Sequence, residues 1–480
     1  MIDQPSSSTA RHRMWRSRRG AWSRVAGATA TMLIVAATLA VPTMTYVSAE
    51  EAGSVSFLGK PDNGSDGAAS EGLTMDLVRQ FEAEPMAALG HTGQGIDVAL
   101  IDTGVAPVPG LDAPGKVLFG PDLSNEGELQ NLATLDTYGH GTHLAGIIAG
   151  NDGVEGGFKG MAPDSRIVSV KVAGATGETH IAQVVAAIDW VVEHRNTDGL
   201  NIRVLNLSLG REGIPSNLND PLSAAVERAW DAGIVVVVAA GNRTNSSNGL
   251  DSPAVSPYVI ATGGLNGRAV RDGVATWSSG GNAGRSPDLV APGKSIVSLR
   301  VPGSTLDREY PQAAVGERFM KGSGTSQAAA VMSGSVALLL SAEPTLSPDQ
   351  VKYLLVQNAN DVQRNNILLD GAGKVRPDTA AENAAAAVNA PTQVHLPALG
   401  ITSWAGIDSW AGGTWSGGTW SGGTWSGATW SGATWSGATW SGATWSGGTW
   451  SGATWSGVSW SGLDAVSIGS DLAATLYEAG

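Results

Sequence analysis

The chain has 480 residues, of which 42% are hydrophobic, and it contains no cysteine. Its length and composition exclude a disordered protein, and the lack of cysteine excludes a disulfide framework and a thiolate metal site. The formal net charge of −14 argues against nucleic acid as a partner, because binding to phosphates requires clustered Lys and Arg.

The first 49 residues have the pattern of an export signal. Arginines precede an apolar run from Val25 to Val41, and Val47-Ser48-Ala49 fits a small-residue cleavage site. An uncleaved membrane anchor is the alternative, although the run is short for a full span. The pair Arg18-Arg19 is similar to the core of a twin-arginine signal, but the residues that follow it match that signal poorly. Export by the Sec route and export by the twin-arginine route are therefore both alternatives. We expect a secreted or cell-surface protein.

Residues 50–83 are rich in Gly, Ser, Asp and Glu and predict a flexible leader. From Gly95 onward, apolar runs bounded by turns predict strands buried on both faces. These runs cover residues 96–104, 166–172, 202–210 and 234–242. Helical patterns alternate with them over residues 180–195, 221–232 and 348–359. The alternation predicts an α/β domain over residues 84–390 with a mostly parallel sheet, followed by a linker over 391–403.

Three glycine-flanked segments carry the residue types of a nucleophilic triad. They are "LIDTGV" (100–105) with Asp102, "YGHGTHLAGIIAG" (138–150) with His140, and "GTSQAAA" (324–330) with Ser326. A serine hydroxyl is a poor nucleophile unless an imidazole acts as its base and a carboxylate orients that imidazole. Small residues around Ser326 would let a substrate chain approach. A helix cap is the alternative role for Ser326 alone.

Together these segments resemble the subtilisin-like serine proteases of the S8 family, over about residues 84–390. The resemblance implies a three-layer α/β fold and a secreted endopeptidase that cuts peptide or protein substrates through an acyl-enzyme. It implies Asp102, His140 and Ser326 as the catalytic triad. The segment "AAGN" (239–242) then matches the oxyanion hole, with Asn242 as a donor to the developing negative charge.

The resemblance also implies two strands between which an extended substrate is held through its backbone. The residues concerned are Ser208, Leu209 and Gly210 in "LSLG", and Ala173 and Gly174 in "AGA".

Asp251 aligns near the base of the family's primary pocket, where a carboxylate would favour Lys or Arg in the substrate. A solvated loop aspartate or an Asp-Ser turn is the alternative. The chain departs from the family at Gln327 and Ala330, where Met and Pro are usual, and its leader is too short for a folded pro-domain.

No cofactor is required and no metal ligand is predicted. Calcium is frequent in the family, but no Asp-x-Asp-x-Asp-Gly loop occurs to assign it to.

Tryptophan recurs every five residues from Trp410 to Trp460 within a repeat over residues 404–462, and a tail over 463–480 follows. Period five is neither helical nor strand-like. The unit resembles a pentapeptide repeat, which forms a square β-helix, with Trp in place of Leu or Phe. A flexible Gly/Ser-rich spacer and exposed Trp that stacks on sugars are the alternatives. We expect the repeat to attach the protein to a cell wall or glycan. The rival function is that of a surface-adhesion protein whose peptidase activity is incidental.

Overall fold

A computed structural model describes residues 54–57, 59–61, 72–129, 131–211, 220–244, 249–282, 285–362 and 366–390, and short strands of the repeat between 410 and 461. The chain divides into two compact units, Met1–Val47 and Ser48–Gly480, and all described residues belong to the second. The predicted export signal, the linker 391–403 and the tail 463–480 lie outside the described residues.

The strands of the domain, in chain order, are β1 (Ser54–Phe57), β2 (Gly59–Pro61), β3 (Leu73–Thr74), β4 (Asp97–Asp102), β5 (Val117–Asp122), β6 (Arg166–Lys171), β7 (Glu178–His180), β8 (Ile202–Leu207), β9 (Leu209–Gly210), β10 (Val235–Ala239), β11 (Ile260–Leu265), β12 (Leu289–Pro292), β13 (Ile296–Leu299), β14 (Ala314–Val315) and β15 (Phe319–Gly324). The α-helices are α1 (Met75–Glu82), α2 (Glu84–Ala88), α3 (His140–Ala149), α4 (Ile181–His194), α5 (Pro221–Asp231), α6 (Thr305–Glu309), α7 (Thr325–Ala342), α8 (Pro348–Gln357), α9 (Ile367–Asp370) and α10 (Pro377–Glu382). Short 3-10 helices cover Val270–Asp272, Pro311–Ala313 and Ala384–Asn389.

A seven-stranded parallel sheet forms the centre of the domain, in the order β12-β11-β10-β8-β4-β6-β5. Every residue of β4 and β10 is buried, as their continuous apolar runs predict. The predicted α/β class with a mostly parallel sheet is therefore confirmed. Because the strands are parallel, their carboxyl ends meet at one edge of the sheet, where functional residues of such sheets lie.

Two surface helices begin at the caps that their sequences indicate. Asp220 accepts a hydrogen bond from the Ser223 backbone N–H at 3.0 Å, before the proline that opens α5. At α8, the Ser347 Oγ accepts from the Gln350 N–H at 3.3 Å, and the Gln350 Oε1 accepts from the Ser347 N–H at 2.9 Å. This reciprocal pair is a capping box.

Helix α7 lies in the interior and packs against α3, β8, β10 and β11. Within the described ranges it is the one helix long and apolar enough to cross a membrane, but 89% of that window is buried inside the domain. Such burial identifies α7 as a core helix, with the carboxyl ends of the sheet strands near its first turn.

The boundary predicted at residue 84 is too late, because parts of the predicted leader pack as elements of the domain. In α1, Met75 and Val78 are buried and belong to the main core. β1 pairs with β7 and β9, and β2 pairs with β15. Elements of three to eight residues give too few turns or alternations for a periodicity signal, so the sequence indicated only a leader there.

The repeat has a regular backbone register. Each strand pairs in parallel with the strand twenty residues further along, as in Trp410↔Trp430 and Thr414↔Thr434. The same offset continues to Thr439↔Ser459. Twenty residues contain four units of five, so paired strands are four repeat units apart.

Candidate active site

The structure joins two of the predicted triad residues directly. Asp102 is the last residue of β4, at the carboxyl edge of the sheet, and His140 is the first residue of α3. The Nδ1 of His140 lies 2.8 Å from Oδ1 and 3.0 Å from Oδ2 of Asp102. Both side chains are buried, at 1% and 2% exposed. The carboxylate therefore fixes the ring so that Nδ1 carries the proton and Nε2 is left as the basic nitrogen.

The glycines beside His140 have steric reasons. Gly139 has φ 106°, a left-handed conformation that side chains disfavour, and it turns the chain into α3. A Cβ on Gly141 would overlap the carbonyl oxygen of Gly104, the glycine that follows β4. Glycine at these positions is thus what lets α3 approach the end of β4 closely enough for His140 to reach Asp102.

A buried aspartate that the sequence reading missed holds this junction together. Asp136 Oδ1 accepts from the Gly139 N–H at 2.6 Å and from the Thr103 hydroxyl at 2.8 Å, and its Oδ2 accepts from the Thr142 N–H at 2.8 Å. The Thr103 Oγ1 in turn accepts from the Gly141 N–H at 3.0 Å. Burial raises the pKa of Asp136, and these hydrogen bonds oppose that shift. An Asp four residues before a helix start was the available signal.

Ser326 lies in the first turn of α7, directly after β15 and next to the end of β8. Its Oγ donates to the Ser208 carbonyl oxygen at 3.0 Å, and Ser326 itself is 0% exposed. The first N–H groups of a helix have no partner inside the helix, so the backbone N–H of Ser326 is free of α7's own ladder. The role of Ser326 as the nucleophile stays a prediction here.

Asn242 is held by the residue before Ser326. Its Oδ1 accepts from the Thr325 N–H at 2.9 Å and from the Thr325 hydroxyl at 3.0 Å. A backbone N–H can only donate, so the carboxamide must turn its oxygen toward Thr325 and its NH₂ group away. Thr325 Oγ1 also accepts from the Gly241 N–H at 3.2 Å, which ties the "AAGN" segment to α7.

Of the two predicted substrate edges, one forms a strand and the other does not. Leu209 and Gly210 form β9, which follows the buried Ser208. Ala173 and Gly174 lie in the loop after β6, so their prediction as a strand is wrong. A Cβ on Gly174 would lie 2.6 Å from the Asn125 side chain, so this loop packs against a neighbouring loop. The strand on that side is β7, four residues later.

Asp251 is 2% exposed and forms an ion pair with Arg243, so its carboxylate is already matched by a positive charge within the chain. A buried carboxylate that already has a cationic partner attracts a Lys or Arg side chain of a substrate much less strongly than an unpaired carboxylate would. The alternative of a solvated loop aspartate also does not describe it.

His143, three residues after His140 on α3, is 3% exposed. Burial, and secondarily the charge of His140, lower the pKa of His143 to about 3. His143 is therefore neutral at physiological pH. No group of three or more His, Asp or Glu that could hold a metal ion occurs among the residues that the structure describes.

Comparison with known proteins decides the family. Residues 93–374 match the subtilase family. The chain belongs to the subtilase family. The family predicted from the three glycine-flanked segments is thus confirmed, and with it the assignment to serine endopeptidases, which are hydrolases.

Individual relatives support this membership. The chain is 36% identical to serine protease AprX of Bacillus subtilis over 301 residues, which is 60% of this chain and 66% of that protein. It is 33% identical to subtilisin of Bacillus pumilus over 286 residues, which is 59% of this chain and 90% of that protein. The crystal structure of fervidolysin from Fervidobacterium pennivorans, a keratinolytic enzyme related to subtilisin, superimposes with a TM-score of 0.51 at 26% identity. That comparison covers 68% of this chain and 51% of fervidolysin.

Proposed function

We propose that this subtilase is an exported serine endopeptidase in which Asp102, His140 and Ser326 form the catalytic triad. The observation that carries the proposal is the bidentate approach of the Asp102 carboxylate to His140 Nδ1, at 2.8 and 3.0 Å. This contact leaves Nε2 as the basic nitrogen, and Asp102 ends β4 at the carboxyl edge of the sheet, the edge at which Ser208 contacts Ser326 in the first turn of α7.

In the proposed reaction, Ser326 Oγ attacks the carbonyl carbon of the scissile peptide bond and His140 Nε2 takes the hydroxyl proton. The oxyanion accepts hydrogen bonds from the Ser326 backbone N–H and from the Asn242 NH₂ group, which Thr325 orients. His140 then protonates the leaving amine, and water hydrolyses the acyl-enzyme. Asp102 stabilises the imidazolium throughout and no cofactor takes part.

A fluorophosphonate probe tests the nucleophile. We expect labelling at Ser326 in the full chain and loss of both labelling and peptide hydrolysis in Ser326→Ala. Ser335→Ala is the matched control, because Ser335 is a buried serine of the same helix whose hydroxyl donates to Val331 O at 3.0 Å. Labelling that persists in Ser326→Ala would exclude this serine as the nucleophile.

We further propose that the Trp-rich repeat attaches the enzyme to a cell wall or glycan, with adhesion as the main function in the rival case. The parallel register at an offset of twenty residues favours a four-sided coil over a structureless spacer. Deleting residues 404–462 should abolish retention on isolated cell walls and leave peptide hydrolysis unchanged. If retention is unchanged, the repeat is not the attachment module.

A further inference from the structure

A buried lysine lies beside the candidate catalytic pair. Lys171 is the last residue of β6, and its side chain is 0% exposed. In the parallel ladder between β4 and β6, Lys171 pairs with Asp102. Lys171 therefore lies at the carboxyl edge of the sheet, on the strand next to the one that carries Asp102.

Oxygen atoms surround the ammonium group of this lysine. Lys171 Nζ donates to Glu126 Oε2 at 2.7 Å. It also donates to the carbonyl oxygens of Leu135, at 2.5 Å, and of Leu132, at 3.3 Å. Asp122 Oδ2 lies 4.0 Å from the same nitrogen. We call these two carboxylate and two carbonyl oxygens the oxygen cage. Such oxygens are the ligand types that a hard cation such as Ca²⁺ prefers.

The carboxylates of the oxygen cage also fix the segments around it. Glu126 Oε2 accepts from the Thr137 hydroxyl at 2.8 Å, and its Oε1 accepts from the Ala175 N–H at 3.0 Å. Asp122 Oδ2 accepts from the Thr134 N–H at 2.9 Å. The oxygen cage thus joins the segment that precedes α3 to the loop that follows β6.

The oxygen cage requires a positive charge. Burial raises the pKa of the Glu126 carboxyl, but the hydrogen bonds from Lys171 and Thr137 outweigh burial and lower this pKa below its ordinary value. Glu126 is therefore ionised. If the charge of Lys171 were removed, a buried carboxylate would lose its counter-charge, which destabilises the fold strongly unless another cation takes its place.

The oxygen cage is connected to the start of α3 through the backbone. The Leu135 carbonyl that accepts from the lysine is followed directly by Asp136, whose carboxylate accepts from the Gly139 and Thr142 N–H groups. A shift of the chain at Leu135 would therefore move Asp136 and, with it, the first turn of α3, where His140 lies. The lysine is thus a positioning residue for the candidate base.

We propose that Lys171 is a built-in cation, whose ammonium group takes the place of a bound metal ion in the oxygen cage and holds the start of α3 next to Asp102. Calcium is frequent in the family, but Ca²⁺ would need the same oxygens at about 2.3–2.6 Å. Because the ammonium group already contacts these oxygens and has the same sign of charge, the two cations exclude each other. The segment before α3 is accordingly ordered by a charge of the chain itself.

The experiment exchanges the built-in cation for a free one. Lys171→Met removes the charge and leaves the Nζ position empty, because the methionine side chain is one atom shorter than that of lysine. Thermal unfolding of the full chain is measured in the Ser326→Ala background, to prevent self-digestion, with EDTA and with about 10 mM CaCl₂. We expect Lys171→Met to lower Tm on the order of 10 °C in EDTA.

Calcium should then recover about half of this loss, because flexible oxygen sites bind Ca²⁺ with Kd of about 10⁻⁴–10⁻³ M. The parent chain with Lys171 measures any effect of calcium elsewhere in the protein, and only the gain beyond that of the parent counts. If calcium stabilises Lys171→Met no more than it stabilises the parent, Lys171 is an ordinary ion-pair partner and the inference is wrong.

Lys116→Met is the matched control. Lys116 is also buried, and the hydrogen bonds of its ammonium group within the described residues go to the carbonyl oxygens of Pro163 and Ser165, at 2.5 and 2.7 Å. Ligand charge raises the affinity of a calcium site, so these carbonyls should bind Ca²⁺ less well than the oxygen cage does. Equal gains from calcium in the two methionine variants would contradict the assignment of the oxygen cage.

A second variant decides the test if Lys171→Met does not fold in EDTA. Glu126→Gln, added to Lys171→Met, removes the negative charge that the lysine had matched. The double variant should therefore be more stable in EDTA than Lys171→Met, and its gain from calcium should be smaller. A Lys171→Met chain that folds only with calcium supports the inference. A double variant that is no more stable in EDTA than the single variant overturns it.

Peptide hydrolysis in the active chain tests the positioning role, and this part rests on the proposed peptidase function. In EDTA, Lys171→Met should lower kcat on the order of tenfold, because a displaced α3 misplaces His140. Calcium should restore kcat over the same concentration range in which it raises Tm. Recovery of Tm without recovery of kcat would refute the positioning role. A wild type that hydrolyses no peptide contradicts the proposed function, whereas the unfolding measurements still test the built-in cation.

Discussion

Thr325→Val tests how the Asn242 amide is held toward the developing oxyanion. Valine has nearly the shape of threonine but lacks the hydroxyl. The substitution removes the 3.0 Å bond from Thr325 Oγ1 to Asn242 Oδ1 and keeps the 2.9 Å bond from the Thr325 N–H. It also removes the acceptor of the Gly241 N–H, 3.2 Å away. Thr325 acts through Asn242 in this scheme, so it is a positioning residue.

The expected size follows from these contacts. Loss of an oxyanion donor costs about 3–4 kcal/mol, so Asn242→Ala should lower kcat by about 10²–10³ with little change in KM. Loss of one of two hydrogen bonds that orient the donor costs about 1 kcal/mol, so Thr325→Val should lower kcat by about fivefold. The unpaired Gly241 N–H adds about 1–3 kcal/mol of lost stability, which lowers Tm and leaves kcat unaffected.

The assay is steady-state hydrolysis of a fluorogenic peptide by the wild type, the two single variants and the double variant. If Thr325 acts through Asn242, adding Thr325→Val to Asn242→Ala should change kcat less than about twofold, because no donor remains to orient. Thr262→Val is the control: its hydroxyl is equally buried and donates to Ile260 O at 3.3 Å in β11. A full fivefold loss in the Asn242→Ala background would refute the reasoning and place the effect of Thr325 elsewhere.

Three further predictions concern stability and specificity. Because burial lowers the pKa of His143 to about 3, the unfolded chain binds a proton below about pH 6.5 that the folded chain does not; the free energy of unfolding should fall by up to about 5 kcal/mol between pH 6.5 and 3. Denaturant unfolding of an inactive variant against pH measures this fall, which His143→Gln should flatten and His194→Gln, half-buried in the last turn of α4, should retain. Gly334→Ala should lower the free energy of unfolding, measured by chemical denaturation, by about 1–3 kcal/mol, because the added Cβ would overlap the Met161 side chain. An unchanged denaturation midpoint would mean that the Met161 side chain moves aside at no cost. Cleavage of a mixed peptide library should show no enrichment of Lys or Arg before the cut, because the buried Asp251 is already paired; strong enrichment would restore Asp251 as a specificity residue.

The central strands were predictable because they are buried on both faces. β8 and β10 lie within the apolar runs predicted at 202–210 and 234–242. The edge strand β5 was not predicted, because its residues are partly buried or exposed and it contains a glycine and a proline. Its Gly120 is required by packing, as a Cβ there would lie 2.8 Å from the Trp190 ring. A residue whose identity is set by contact with a residue far away in the sequence adds nothing to the local pattern that predicts a strand.

The predicted and the missed residues of the site differ in the same way, since some leave a local pattern in the sequence and others do not. Asp102 and His140 follow from residue type and flanking glycines, because close approach of two backbones leaves a mark in the sequence. Asp136 carries only the weak signal of an acidic residue shortly before a helix start, because its contact with the Thr103 hydroxyl, 33 residues away in the sequence, exists only in the fold. The edge strand β7 was missed because it is three residues long and has only its middle residue buried.

The leader is the extreme case of a segment without a sequence signal. Its strands pair with neighbouring strands through backbone hydrogen bonds, and such pairing is indifferent to most side chains. This indifference is also what an endopeptidase with broad specificity requires of its substrates.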